Sequence, residues 1–293
     1  MKILRTLRLG DENTIMNKNK FHNQFQGFLK MPNLFSGSQI FDIPSFETPI
    51  LKPLDDSILD LQQLKKHKYL GKRAEYFMLA YLNQFNHYQP VYHSLQIQTD
   101  KSTTLGELDF LFFDETRKEW IHLELVCKFY VFTDESETDN LEDWIGPNLK
   151  DRLGFKIQKL KTHQLQICKQ DEAQQLLKTL NIDAIKVKSQ ICYKAKLFLP
   201  ENLLGFKPSL VNPNCIKGKY YHFEKFKAFK YSSDLFYIPE KVDWLCLPAN
   251  NQKWYAFDKA EHILKSKLKE KRSQMLWRKT RDDEFFEEFV TWW

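Results

Sequence analysis

The 293-residue chain lacks the marks of several common protein classes. Its five cysteines show neither a CxxC pair nor a Cys/His ligand spacing, so a zinc site is not indicated. No apolar run reaches the roughly 18 residues that a membrane span needs. The basic start, MKILRTLRLGDEN, has no apolar stretch, and we expect no signal peptide. These absences predict buried free thiols, no membrane partner and a cytoplasmic location.

Charge and composition leave more possibilities open. A formal net charge of +6 permits an anionic partner such as nucleic acid without requiring one. Hydrophobic residues make up 42% of the chain, with 24 Phe, 12 Tyr and 7 Trp, which is enough for a large core. The sequence contains no internal repeat and no linker that would separate two independent domains. We therefore expect a globular protein.

Hydrophobic periodicity predicts a helix at Leu70–Phe85, because apolar residues recur there at intervals of three and four. The other predicted elements are, in order, a strand at Val91–Gln98, strands at Leu105–Phe113 and Trp120–Phe132, a helix from Leu149 to Cys168, a short helix at Glu172–Leu180, a strand at Val187–Pro200, a strand at Trp244–Pro248 and a basic helix from Lys259 to Arg281. This order is typical of a mixed α/β sheet with a helix on each face.

The strands at Leu105–Phe113 and Trp120–Phe132 carry charge among apolar residues. Side chains alternate along a strand, so parity assigns each one to a face. The charged face of the first strand is Leu105, Glu107, Asp109, Leu111 and Phe113. The charged face of the second is Trp120, His122, Glu124, Val126, Lys128, Tyr130 and Phe132, and its other face is apolar throughout. The polar segment Asp114–Glu119 predicts a hairpin connection.

Such a hairpin brings Asp109, Glu124 and Lys128 together inside the sheet. Moving a charge out of water is costly even after the protein relaxes around it. The carboxylates therefore need a cation or hydrogen-bond donors, which Lys128, a divalent metal or both can supply. A structural ion pair, or a sheet with one wet face, is the alternative interpretation.

The helix predicted after these strands carries a basic stripe. Its members, at i, i+4, i+7 and i+11, are Arg152, Lys156, Lys159 and His163. The apolar stripe beside it consists of Leu149, Leu153, Ile157 and Leu160. Most basic helix stripes are solvated surface. This one follows the charged strands directly, so it can lie over them and contact an anionic substrate.

The order αβββαβ, with an acid on the second strand and an acid plus a lysine on the third, resembles the PD-(D/E)XK, or restriction-endonuclease-like, nuclease superfamily. Within this superfamily, the local sequence resembles the bacterial domain-of-unknown-function family 1853. The matching segments are LGKRAEYF (Leu70–Phe77), TLGELDFLF (Thr104–Phe112), HLELVCKFYV (His122–Val131) and GPNLKDRLGFKIQKLKTHQL (Gly146–Leu165). The resemblance implies a restriction-endonuclease-like fold and Mg²⁺- or Mn²⁺-dependent hydrolysis of nucleic acid, although the family brings no established activity.

The resemblance also implies roles for single residues. Asp109 and Glu124 match the two metal-binding carboxylates, and Lys128 is the nearest candidate for the catalytic lysine. Glu75 matches a helix glutamate that supports the metal or its waters. Mg²⁺ prefers oxygen ligands and keeps several waters, so two carboxylates suffice to hold it. Such a metal polarises the phosphate and activates a water, and the lysine offsets charge in the transition state.

The lysine departs from the superfamily pattern, which is Glu-x-Lys. Val126 stands at the expected position, and Lys128 lies one strand period further on, on the same face. Its long side chain could still reach back toward Glu124.

Two more residues lie on the same face of this strand. We expect His122 either to contact a phosphate or Glu124, or to complete the packing at the strand end. Tyr130 is more typical of the core than of catalysis.

Other polar residues near the predicted site keep alternative roles. Glu107 is either a further metal ligand or part of a salt bridge at the rim. Asp151 is expected at the helix N-terminus, where the dipole favours a carboxylate. On the helix itself, Lys156 and His163 are expected to face the cleft ahead of Gln164.

The resemblance divides the chain into three parts. These are an N-terminal extension on the core, 1–60, a nuclease-like core, 61–200, and an aromatic- and Lys-rich C-terminal addition packed on it, 201–293. Three functions then compete: a Mg²⁺-dependent nuclease, a catalytically inactive module that binds nucleic-acid phosphates, and an interaction protein. In the third, the buried charges are structural and the C-terminal region docks a protein partner.

Overall fold

The fold is seen in a computed structural model that describes residues 19–35, 44–49, 58–99, 103–133, 139–203 and 205–293. Among these residues, nine strands form one mixed sheet: β1 (Tyr88–Gln98), β2 (Thr104–Asp114), β3 (Glu119–Phe132), β4 (Trp144–Ile145), β5 (Lys188–Pro200), β6 (Ile216–His222), β7 (Leu235–Tyr237), β8 (Gln274–Lys279) and β9 (Phe285–Thr291). Their order is β1-β2-β3-β5-β6-β9-β8-β7, and β4 pairs with β3. The predicted mixed α/β sheet is confirmed.

Helices cover both faces of the sheet. They are α1 (residues 19–30), α2 (Leu61–Lys66), α3 (Leu70–Leu82), α4 (Leu153–Thr162), α5 (Asp171–Thr179), α6 (Phe223–Phe226) and α7 (Phe257–Lys269). Helices α1 and α3 pack on one face, where Phe25, Phe28 and Phe77 are fully buried. Helices α4, α5 and α7 pack on the opposite face.

Strand β3 is apolar along one face because that face lies under α3. Ile121, Leu123 and Val131 belong to this side of the core, as the alternation predicts. On the other face, Val126 and Tyr130 pack against α4. Along its edge β3 pairs in parallel with β5 from Ile121 to Val131. The strand is thereby enclosed on three sides, and any charge that it carries is held in a fixed place.

The helix predicted from Leu149 to Cys168 is shorter in the structure. It spans Leu153–Thr162, and the chain then tightens into a 3₁₀ helix at Gln164–Lys169. Leu149 precedes the helix with a φ of 62° and is 48% exposed, so its predicted place in the apolar stripe is wrong. The left-handed backbone at Leu149 breaks the periodicity that the sequence suggested.

Two predictions for the C-terminal third are wrong. The predicted strand at Trp244–Pro248 begins inside a 3₁₀ helix, Lys241–Leu245. The predicted basic helix ends at Lys269, and Gln274–Lys279 instead form β8, which pairs antiparallel with β9. Lys and Arg favour helices in isolation, but burial of this segment within the sheet overrides that preference.

The N-terminal region is described only in part, because residues 1–18, 36–43 and 50–57 lie outside the described ranges, as do residues 134–138. Helix α1 is absent from the sequence-based predictions, although Phe21, Phe25, Phe28 and Leu29 have helical spacing. Downstream, the Leu34 N–H donates to Tyr193 O at 2.7 Å, and the Phe46 N–H donates to Ile191 O at 2.8 Å. These segments cover part of the β5 edge.

The C-terminal third continues the same sheet beyond β5. Strand β6 pairs in parallel with β5, and β9 pairs in parallel with β6. A buried ion pair, Lys196 Nζ to Glu287 Oε2 at 2.7 Å, joins β5 to β9, and Lys196 also donates to Trp244 O at 3.0 Å. The division of the chain near residue 200 stays a prediction.

All five cysteines are free thiols, as the sequence predicts. Cys127 is half-buried and the other four are buried. Within the described ranges, no helix is long and apolar enough to cross a membrane.

The backbone of α1 approaches the segment at Leu245 very closely. A Cβ built on Gly27 would lie 1.7 Å from Leu245 O, whereas a Cβ on Gly71 in α3 meets nothing within 4 Å. Both glycines lie in helices. A difference in stability between their alanine variants therefore reflects this close approach and not helix propensity.

We therefore expect Gly27→Ala to destabilise the protein by about 1–3 kcal/mol through overpacking. Gly71→Ala should be neutral or stabilise it by up to about 1 kcal/mol, because alanine favours helices. Urea unfolding midpoints of the two variants and the wild type measure the difference. A midpoint of Gly27→Ala equal to or above that of the wild type would show that the contact at Leu245 is not tight.

Candidate functional site

The predicted acidic residues lie where the β2–β3 ladder opens. The two strands are paired from Asp114–Glu119 as far as Phe110–Leu123, and the next step of that register places Asp109 opposite Glu124. Here the Asp109 side chain replaces the ladder, because Oδ2 accepts the Leu125 N–H at 2.9 Å. Beyond this point β2 continues with β1 and β3 continues with β5, so the sheet divides at the two carboxylates.

Asp109 also lies at an irregularity between β1 and β2. Leu108 and Leu111 differ in parity, yet both pack in the cluster under α5, whereas Phe110 packs on the opposite face. Ser94, which the register places opposite Asp109, has a φ of 54°. Strict alternation across Asp109 is therefore wrong as a prediction, and the left-handed Ser94 lies at the same point of the neighbouring strand.

Glu124 is 1% exposed and is held by hydrogen bonds at both oxygens. Oε1 lies 3.0 Å from His122 Nε2, and Oε2 accepts from the Gln164 amide at 2.7 Å. Gln164 Oε1 in turn accepts from Lys156 Nζ at 2.7 Å. The glutamate on β3 is thus linked to α4 and to the 3₁₀ helix that follows it. We call His122, Glu124, Gln164 and Lys156 the Glu124 network.

His122 is fully buried at one end of this network. Its Nδ1 lies 3.2 Å from Ser189 Oγ, and that hydroxyl donates to Leu165 O at 3.0 Å. Burial works to lower the pKa of His122, but contacts with Cys168 and Glu124 outweigh it and raise the pKa to about 9. His122 therefore contacts Glu124, one of its predicted alternatives, and orients that carboxylate from beneath the site.

The electrostatics of Asp109 differ from those of an ordinary surface carboxylate. Burial raises its pKa to about 7, and repulsion from Glu124 adds to this effect, while the Leu125 N–H opposes it. Lys156 approaches the pair from α4. Burial lowers the pKa of its amine, whereas the charges of Glu124 and Asp109 work to raise it. An amine and two acidic groups thus converge from three different elements.

Glu75 and Glu107 lie near Asp109, on the side of α3. Glu75 Oε2 accepts from Lys72 Nζ at 2.6 Å and lies 3.8 Å from His93 Nε2. Burial works to raise the pKa of Glu75, but the contacts with His93 and Lys72 outweigh it and lower the pKa. Glu107 lies 3.5 Å from the same lysine. Both glutamates therefore take part in an exposed salt bridge at the rim, one of the roles predicted for Glu107.

Lys72 and His93 are absent from the residues predicted from the sequence. Lys72 precedes Glu75 by one helical turn, which is a signal that the sequence does contain. His93 lies on β1, and only the pairing of β1 with β2 brings it close to the site.

Lys128 does not reach Glu124. Its Nζ lies 2.5 Å from Asp151 Oδ2, in the loop before α4. Asp151 lies at the N-terminus of α4, as predicted, directly before the N-cap residue Arg152, and no side chain caps the helix. The loop instead turns the Asp151 carboxylate toward β3, where it neutralises the lysine.

The basic stripe of α4 separates into an inner and an outer part. Lys156 and Gln164 are half-buried and belong to the Glu124 network, whereas Arg152, Lys159 and His163 are exposed. Gln164 thus contacts the site more directly than His163, contrary to the expected order. The reason is that α4 ends at Thr162, and the tighter 3₁₀ turn directs Gln164 inward.

The family model described as a domain of unknown function (DUF1853) matches residues 35–288. The chain belongs to the DUF1853 family. Searches of the curated proteins and of the solved structures found no match. The family predicted from the four sequence segments is therefore confirmed, and the match includes both strands of the site together with most of the C-terminal third.

The donor atoms of this DUF1853 site suit a small, hard cation. Within the described residues, no three or more His, Cys, Asp and Glu side chains are grouped to hold a metal. Mg²⁺ usually binds one or two carboxylates and keeps several waters, whereas structural zinc needs four protein ligands. Asp109 and Glu124 repel each other, which a divalent cation between them would relieve. Mg²⁺ or Mn²⁺ at this pair stays a prediction.

The Glu124 network predicts a stability effect of Gln164. In Gln164→Leu the buried Oε2 of Glu124 loses its donor, and an unsatisfied buried acceptor costs about 1–3 kcal/mol. The exposed neighbour Gln166 offers a matched control, because Gln166→Leu changes the same atoms outside the network. Urea unfolding should give a lower midpoint for Gln164→Leu only. Equal midpoints for the two variants would contradict the network.

Proposed function

We propose that this DUF1853 protein is a Mg²⁺- or Mn²⁺-dependent nuclease that hydrolyses phosphodiester bonds of nucleic acid. The observation that carries the proposal is the opposition of Asp109 and Glu124 where β2 and β3 separate, with the pKa of Asp109 raised to about 7 by burial and by Glu124. Such perturbed groups are typical of functional sites. The free thiols support a reducing, cytoplasmic compartment as part of this proposal.

A restriction-endonuclease-like core is part of the same proposal. The elements α3, β1, β2, β3, α4 and β5 follow each other in the order αβββαβ. In the sheet they lie as β1-β2-β3-β5, with the first three strands antiparallel and β5 parallel to β3. This arrangement supports the proposed membership in the PD-(D/E)XK superfamily.

The roles of the residues follow from their positions. Asp109 and Glu124 would hold the metal, and the metal would polarise the scissile phosphate and lower the pKa of an attacking water. His122 and Gln164 fix the orientation of Glu124 through its two oxygens. The positive charge of Lys156 would offset negative charge that develops on the phosphate. Exposed cations on α4, Arg152 and Lys159, would hold the neighbouring backbone phosphates.

For the catalytic lysine, the geometry favours a different residue from the one predicted. Lys156 is hydrogen-bonded into the Glu124 network, whereas Lys128 is paired with Asp151. We therefore propose Lys156 as the lysine of the reaction, and the role of Lys128 in catalysis stays a prediction.

The nuclease is tested with mixed single- and double-stranded DNA and RNA in the presence of Mg²⁺ or Mn²⁺. We expect cleavage by the wild type and none above background by Asp109→Asn or Glu124→Gln, because each variant removes a metal-binding charge. Glu115→Gln is the matched control, since Glu115 is exposed in the β2–β3 turn and paired with Lys118. Equal results for all the proteins, with and without metal, would refute the proposal.

The two lysines are separated by comparing Lys156→Met with Lys128→Met in the same assay. Loss of a group that stabilises the transition state costs about 100-fold or more in rate, which we expect of Lys156→Met. Lys128→Met should lose less than about tenfold, because it removes a charge already neutralised by Asp151. The reverse order would restore Lys128 as the catalytic lysine.

A second candidate function has one observation in its favour. Glu124 is 1% exposed with both oxygens already hydrogen-bonded, as suits a structural network in a catalytically inactive protein that binds nucleic acid or another protein. An inactive nucleic-acid-binding module predicts affinity that falls with salt and survives in Asp109→Asn. An interaction protein predicts no nucleic-acid affinity, so one binding series distinguishes the two.

A further inference from the structure

A second basic feature lies around Lys128. It is a cavity of about 670 Å³ between the start of α3, the loop before α4 and the 3₁₀ helix Lys241–Leu245. Its basic lining residues are Lys68, Lys128, Lys150 and Lys241. Its aromatic side chains include Tyr69 and Trp244. We call this cavity the lysine pocket.

The charges of the lysine pocket are unbalanced. Asp151 is the one acidic residue in its described lining, and Lys128 neutralises that carboxylate at 2.5 Å. Lys68, Lys150 and Lys241 remain as an excess of positive charge. Partial removal from water lowers the pKa of Lys241, and repulsion by Lys128 and Lys150 adds to the effect. Like charges that converge on one cavity favour an anionic ligand.

The pocket is built by parts of the chain that are far apart in sequence. Its loop, at Pro147 and Asn148, is fastened to the C-terminal third: Ser273 Oγ donates to Pro147 O at 2.5 Å, and the Ser273 N–H donates to Asn148 Oδ1 at 2.8 Å. Trp293 Nε1 donates to Pro147 O at 3.0 Å. These bonds hold the loop that carries Lys150 opposite Lys241, so the C-terminal third completes the pocket.

Tyr69 adds a second kind of contact at the pocket. Its side chain is 80% exposed although it is a large aromatic residue. It contributes only its backbone to the start of α3, because the N-cap makes no side-chain hydrogen bond. An exposed aromatic ring beside lysines is the combination that single-stranded nucleic acid recognises, through base stacking and phosphate contacts.

The size of the pocket also suits such a ligand. A cavity of about 670 Å³ lies in the range of about 300–1,000 Å³ that holds a small organic group. A flipped-out or terminal nucleotide has that size, whereas a base pair inside a duplex presents no free base face to Tyr69. We propose that the lysine pocket binds a nucleotide segment of single-stranded nucleic acid, with its phosphates on Lys68, Lys150 and Lys241 and a base on Tyr69. The choice of nucleic acid as the ligand rests on the proposed function.

The test measures binding without catalysis. Fluorescence anisotropy of a short labelled single strand, as DNA and as RNA, is recorded with the full chain in EDTA over a range of salt concentrations. Lys150→Gln/Lys241→Gln removes two pocket charges. Lys178→Gln/Lys269→Gln removes two charges from exposed positions on α5 and α7 and is the matched control.

Two lost phosphate contacts, at about 0.7 released counterions each, should weaken single-strand binding about 25-fold at about 0.1 M salt. They should also reduce the slope of log K against log salt by about 1.4. The control variant should bind like the wild type. If the pocket variant and the control variant bind equally, the inference is overturned.

Substitution of Tyr69 tests the pocket independently of its lysines. Tyr69→Ala should weaken binding of the single strand about tenfold through lost stacking, and Tyr69→Phe should restore it. A duplex of the same sequence should bind the wild type, Tyr69→Ala and Tyr69→Phe with equal affinity. An equal loss for the single strand and the duplex, or none for either, would exclude a stacked base in the pocket.

These outcomes are separable from those of the nuclease assay. Weaker binding by the pocket variant, together with no metal-dependent cleavage by the wild type, would support the pocket and refute the nuclease. Cleavage that depends on Asp109 and Glu124, together with unchanged binding by the pocket variant, would support the nuclease and refute the pocket.

Discussion

The candidate site depends on one backbone group, the N–H of Leu125. Strand β3 keeps its partner β2 only as far as Leu123, and the N–H of the half-buried Leu125 beyond that point needs another acceptor. The Asp109 carboxylate supplies it at 2.9 Å. Because this bond replaces a rung of the ladder, β2 and β3 can separate without leaving the backbone unsatisfied. The same bond holds Asp109 beside Glu124, so the opening of the sheet and the meeting of the two acids have one cause.

The surroundings of Glu124 explain how its charge is tolerated inside the protein. A buried carboxylate is stable only when donors surround it. His122 and Gln164 satisfy its two oxygens, and Lys156 extends the network toward solvent. The network also joins β3 to the chain around α4, so the position of the basic helix over the strands is set by the same hydrogen bonds that stabilise the acid. Structural and chemical roles are therefore combined in one set of residues.

The outer parts of the chain complete the sheet around this centre. N-terminal segments hydrogen-bond to part of the β5 edge, and the C-terminal third continues the sheet through β6 and β9. The Lys196–Glu287 pair fastens β5 to β9 within the core. The C-terminal third also holds the loop before α4 through Ser273 and Trp293. This loop carries Asp151, so contacts from the end of the chain determine where Lys128 is held.

The sequence by itself determined most of the elements from α3 to β5, the family and the two facing acids. These follow from local periodicity and from pairing across a short hairpin, which Leu123 and Phe110 on β3 and β2 obey. Only the tertiary structure decided the partners of the charges: Lys128 with Asp151, Gln164 with Glu124, and His93 with Glu75. Long polar side chains reach several neighbours, and the direction each one takes depends on helix ends, left-handed residues and loops that distant contacts hold in place. Alternation and helical spacing contain no record of those contacts.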